Sequence, residues 1–142
     1  MGRRASREMA MKLLYQLEVQ KGNREEQIKR FFEENSFSEK DKTYINDVIE
    51  GVHANRAFID GLIETHSKGW KLNRISKVDL SILRLGIYEI IFRDDIPVSV
   101  SINEAVELAK TYSNEDAGSF VNGILSKIPT TNVPSAEGKD GG

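Results

Sequence analysis

The sequence has no cysteine among its 142 residues, which excludes disulfides, thiolate metal sites and cysteine nucleophiles together. Its two histidines, His53 and His66, are too far apart for the paired-imidazole spacing of a helical zinc site, and each reads as a helix-surface residue. Proline is scarce: Pro97, Pro129 and Pro134 fall near expected element ends and leave the rest of the chain free to be helical. No stretch is long and uncharged enough to cross a bilayer. The start, Met1-Gly2-Arg3-Arg4, leads into mixed charge where a secretory signal would carry an apolar run, so a cytoplasmic location is expected. A glycine-rich phosphate loop, a G-x-S-x-G elbow and a dinucleotide fingerprint are all missing. The acid pairs Glu33-Glu34, Asp94-Asp95 and Glu115-Asp116 are adjacent residues, which a helix points in different directions. These absences predict a protein that is not an enzyme and needs no metal and no cofactor.

A strong excess of one charge is lacking too. Lys and Arg number 20 against 22 Asp and Glu, a formal net charge of -2, so any nucleic-acid site must be a local patch. The length suits one domain or two tightly fused subdomains and can bury a core unaided.

What is present is helical periodicity. Between Arg3 and Val19, apolar Ala10, Leu13, Leu14 and Leu17 share one face of an amphipathic helix. Gly22-Asn23 breaks it, and Ile28, Phe31 and Phe32 mark a short second helix. Ser38 with Asp41 resembles a capping box, opening a helix with Tyr44, Ile45, Val48, Ile49 and Val52 toward a core. Asn55 is placed to cap a fourth segment carrying Phe58, Ile59, Leu62 and Ile63. Lys68 to Arg74 is then a connector, expected to be pinned by Trp70 and Leu72. From Val78 to Phe92 scarcely any polar face remains, which predicts a helix at the centre of the molecule. Gly86 within it predicts a close approach of another helix. Ser101-Ile102-Asn103-Glu104 matches a capping box, and Asn114 opens a last helix carrying Ala117, Val121, Ile124, Leu125 and Ile128 until Pro129 stops it. The segment 130–142, rich in Gly, Pro, Ser and Thr, is expected to be a disordered tail.

Two places could carry binding chemistry. Arg3, Arg4 and Arg7 lie within about a third of a helix circumference, at about 100 degrees per residue. Together with the positive end of the helix dipole they could receive phosphate; a solvated basic end is the plain alternative. On the last helix Asp116 and Phe120 are one turn apart and neighbour each other, with Phe120 on the flank of the apolar stripe. Such a ring could stack a base while the carboxylate reads another base's N–H edge; by themselves, however, the two residues are better read as peripheral packing and dipole capping.

The whole set, in order, resembles the NusB family. Arg3-Arg4-Ala5-Ser6-Arg7-Glu8 with Ala10 and Leu14-Tyr15 is similar to that family's arginine-rich first helix. Val78-Asp79, Ile82-Leu83-Arg84-Leu85 and Tyr88-Glu89 are similar to its central helix. Asp95-Ile96-Pro97, the run from Ile102 to Lys110, and Phe120-Val121-Asn122-Gly123-Ile124-Leu125 are similar to its C-terminal signature.

This resemblance implies an all-α fold of two small fused helical bundles, residues 1–67 and 68–129. It implies transcription antitermination by binding boxA, a short single-stranded RNA element, together with NusE, a small-subunit ribosomal protein. Other Nus factors and RNA polymerase would be engaged indirectly, notably on ribosomal RNA operons. The RNA contacts carry over to Arg3, Arg4, Arg7, Asp116 and Phe120, and the NusE-facing surface to Tyr15 and Asp79. A homodimer through the RNA face is a further form that the family takes. Helical domains of this kind also occur fused to RNA cytosine methyltransferases, but no S-adenosylmethionine-binding strand and glycine loop follows in this sequence. The binding reading requires the cationic start and the Asp116–Phe120 turn to share one groove.

Overall fold

The computed structural model describes residues 3–130, so nearly all of the expected tail, 130–142, lies outside the described residues. The chain forms α1 (Arg3–Val19), α2 (Arg24–Glu34), α3 (Glu39–Ala54), α4 (Arg56–His66), a 3₁₀ turn (Leu72–Arg74), α5 (Lys77–Phe92), α6 (Val98–Tyr112) and α7 (Glu115–Leu125). The fold is all-α, with no strand among the described residues.

Polar side chains set most of the helix starts. Asn23, Ser38, Ser76 and Asn114 accept hydrogen bonds from the backbone N–H groups of Glu26, Asp41, Asp79 and Ala117 at 2.8, 3.1, 3.1 and 2.8 Å. Each satisfies an otherwise orphaned donor and contributes about 1 kcal/mol. Asn55 behaves differently. Its amide donates back to the Gly51 carbonyl at 2.8 Å, closing the end of α3 and leaving α4 without a side-chain cap.

Helix α5 is the axis of the molecule, as its nearly all-round apolar sequence predicts. Every residue from Leu80 to Ile91 is buried, and α5 packs against α1, α3, α4, α6 and α7. Ile82, Leu83, Leu85 and Ile87 have no exposed surface, and each contributes about 1.5–3 kcal/mol of apolar burial. Gly86 is where α7 and α6 come closest: a Cβ there would lie 2.8 Å from a Leu125 methyl carbon and 3.6 Å from the Ala105 Cβ.

Two further local expectations are corrected. Ser101 and Glu104 do not form a capping box. Pro97 starts α6 earlier, with φ -59° preset by its ring, and its carbonyl accepts from the Val100 and Ser101 N–H groups at 3.0 and 3.1 Å. Ser101 is thereby turned into the core and Glu104 toward α1. Trp70 does not pin the connector: it is 50% exposed, while half-buried Leu72 packs against the core.

Candidate nucleic-acid interface

The first residues of α1 border a hollow of about 400 Å³ lined by Arg3, Arg4, Arg7, Asp95, Pro97 and Glu104, among others. Helical spacing puts the three arginines on one side, but each meets a partner. The Arg4 guanidinium donates to Glu104 through Nε at 2.8 Å and Nη2 at 2.6 Å. Its side chain is 74% exposed, that of Glu104 17%, so phosphate can compete for Arg4 at little cost. Arg3 lies over the Tyr44 ring, 4.6 Å from its centre, a cation–π contact.

Arg7 departs from the expectation of three guanidiniums presented to solvent. Its side chain is 3% exposed and donates to the fully buried Glu89 carboxylate at 2.9 and 3.2 Å. The Ser101 hydroxyl also donates to Glu89, at 2.8 Å, and so does the Tyr44 phenol. A charge in an apolar interior is tolerated only when its lone pairs are filled in this way. Burial first, and the Glu89 charge beside it, push the Tyr44 phenol far above its ordinary range. The network ties α1, α3, α5 and α6 together and fixes the start of α1, with Arg3 and Arg4 on its outer side. The sequence signal for it was a lone carboxylate, Glu89, inside an otherwise apolar helix.

A second hollow of about 400 Å³ lies between the start of α5 and the start of α7. Asp116 and Phe120 line it together, as their one-turn spacing requires. They share it with Trp70, Arg74 and Asp79, so Asp79 belongs beside this pair, while Tyr15 is exposed on α1 outside the hollow. Burial pushes the Asp79 carboxyl above its ordinary value, and its Oδ1 is buried without a hydrogen-bond partner. The hollow thus offers two aromatic rings, two carboxylates and a guanidinium: surfaces for stacking, acceptors for base N–H groups and a charge for phosphate. The sequence reading gave Trp70 only a structural role in the connector and gave Arg74 none, so neither was assigned to the site; their one signal was to lie in that irregular segment.

The two hollows are separate, and α6, 15 residues long and so about 22 Å, connects them. Near its first turns it meets α1 through Glu104 and Arg4. At its last residue the Tyr112 phenol donates to Glu8, and Lys12 stands 5.6 Å from the Tyr112 ring centre. Ser113 and Asn114, which follow directly, line the Asp116–Phe120 hollow. A seam of α1–α6 contacts, with exposed Lys12 and Tyr112 on it, therefore leads from the cationic end to the aromatic end.

The comparisons with known proteins agree with this architecture. A model of the NusB family matches residues 4–129. The chain is similar to the transcription antitermination protein NusB of Acetivibrio thermocellus, 62% identical over 140 residues that cover 99% of this chain and 97% of the relative. Its structure is similar to that of T. maritima NusB, with a TM-score of 0.84 at 37% identity and 98% of each chain covered. It also resembles a chain in the crystal structure of antitermination factors NusB and NusE in complex with dsRNA, with a TM-score of 0.78 at 31% identity, covering 87% of this chain and 92% of that one. From its buried Arg7–Glu89 centre to its Asp116–Phe120 turn, this chain belongs to the NusB family.

Proposed function

We propose that this chain is a non-catalytic transcription antitermination factor of the bacterial cytoplasm. It binds the boxA single strand of nascent RNA jointly with NusE, engages other Nus factors and RNA polymerase indirectly, and supports processive transcription of ribosomal RNA operons. The observation that carries this reading is the hollow in which Phe120 and Asp116 stand together, joined along α6 to Arg3 and Arg4. The similarity to a protein crystallised with NusE and dsRNA supports NusE and RNA as the partner classes.

In this mechanism Arg3 and Arg4 neutralise phosphates, Phe120 stacks a base, and Asp116 accepts from base edges. Arg7 acts through Glu89: it holds the first turn of α1 in place. NusE contacts Tyr15 and the Asp79 side of α5. The test is a boxA gel shift with and without purified NusE. A shift that is strengthened by NusE and weaker for a scrambled RNA is expected; no shift even with NusE would overturn the reading.

A further inference from the structure

Trp70 is the sole tryptophan of the sequence, and it stands half out in solvent on a backbone that is firmly held. Lys68 and Gly69 before it have φ of 55° and 91°, a left-handed turn that costs a lysine energy. The buried Ser67 hydroxyl locks that turn by donating to the Trp70 carbonyl at 2.7 Å. The indole meets Phe120 edge to face, with ring centres 6.3 Å apart and planes at 72°. The two rings together form the wall between the Asp116 hollow and a third one of about 190 Å³.

That third hollow lies between the Lys68-Gly69 turn and α7, and His66, Lys68, Ser119, Gly123 and Lys127 line it. It differs from the cationic end of α1 in one respect. There Glu104 already occupies Arg4; here no carboxylate is among the described lining residues. An aromatic face with uncompensated lysines on both sides is the combination that a single nucleic-acid strand requires: stacking for a base, charge for the phosphates that flank it. Rings set nearly at right angles cannot both stack on one base, so each takes its own and the strand turns between them.

We propose that the bound RNA strand continues past Phe120 into this third hollow, with a second base stacked on the Trp70 indole and flanking phosphates against Lys68 and Lys127. The proposal rests on the RNA-binding reading above and extends its site by one stacking platform. Gly123 supplies the room: a Cβ there would meet nothing within 4 Å.

The test follows Trp70 emission and the anisotropy of a fluorescein-labelled boxA RNA in one titration, with NusE present and the Trp70→Phe protein as the emission blank. Emission should fall in step with RNA binding. Trp70→Ala should weaken binding about 5- to 20-fold, and Trp70→Phe, which keeps a stacking face, about 2-fold. Lys127→Gln should reduce the log–log salt slope by about 0.7. Gly123→Gln, which fills the hollow with a good helix former, should weaken binding without lowering the melting midpoint. RNA that binds with unchanged emission and full affinity for Trp70→Ala would overturn the second platform and leave the Phe120 site standing. Emission that responds to NusE in the absence of RNA would make the indole a protein contact and overturn it equally. RNA that does not bind at all would remove the underlying reading as well.

Discussion

Arg7 Nε and Glu89 Oε2 lie 2.9 Å apart with almost no solvent on either side chain. This ion pair, closed between α1 and α5, decides what the basic start of the chain can do. Because Glu89 holds the Arg7 guanidinium through two hydrogen bonds, the charge available to a ligand at this end comes from Arg3 and Arg4.

Arg7→Ala should destabilise the fold by about 3–5 kcal/mol, because it leaves Glu89 buried without its counter-charge. The melting midpoint by circular dichroism should drop by roughly 10 °C or more. At a temperature where the variant is still folded, the salt slope of RNA binding should match that of the parent. A slope flattened by Arg7→Ala would mean that the side chain leaves Glu89 and meets phosphate.

Glu104→Gln frees Arg4 from its carboxylate partner, so RNA affinity should rise about 2- to 3-fold at low ionic strength, the scale of an exposed pair. The gain should fade as salt screens the site. Arg4→Ala should have the opposite effect and lower the log–log salt slope by about 0.7. Anisotropy titrations at a series of salt concentrations measure both.

Phe120→Ala should weaken boxA by about 1–3 kcal/mol and scrambled RNA by less, if stacking occurs in a site that also reads base edges. Asp116→Asn should narrow the gap between the two RNAs with a smaller loss of total affinity. Equal losses on both RNAs for Phe120→Ala would remove the stacking role.

Asp95 is the acid-sensitive element of the α5–α6 turn. The Arg93 guanidinium, donating to both of its oxygens at 2.9 Å, holds the carboxyl at about 2, below its ordinary 3.8. Between these values the unfolded chain binds the proton more readily than the folded one. The contribution of the pair is therefore complete above pH 3.8 and lost as pH falls toward 2. The carboxyl is exposed, so Asp95→Asn should cost only about 0.5–1 kcal/mol near neutrality, and parent and variant should converge in acid. Urea midpoints across the pH range check this.

The helical class, the central place of α5, the caps at Ser38 and Asn114 and the adjacency of Asp116 and Phe120 were legible in the sequence. Each follows from a repeat of 3.6 residues or from a side chain reaching its own backbone three positions on. The Ser101–Glu104 pattern shows the limit of such local rules: it has the letters of a cap, yet Pro97 had already started the helix. Among the site residues, the place of Asp79 beside Asp116 and Phe120 was not legible, because it depends on the starts of α5 and α7 bordering one hollow.

By itself the sequence determined which stretches are helical, which faces are apolar and that basic residues gather at the start, since these depend on neighbours along the chain. Only the tertiary structure decided which charges remain available. Arg7 lies 82 residues from Glu89 in sequence, and the pairing of a charge across such a separation is set by how helices pack. The exposure of Trp70 was decided in the same way, by a left-handed turn and a serine that lift one aromatic ring out of the core and hold it beside another.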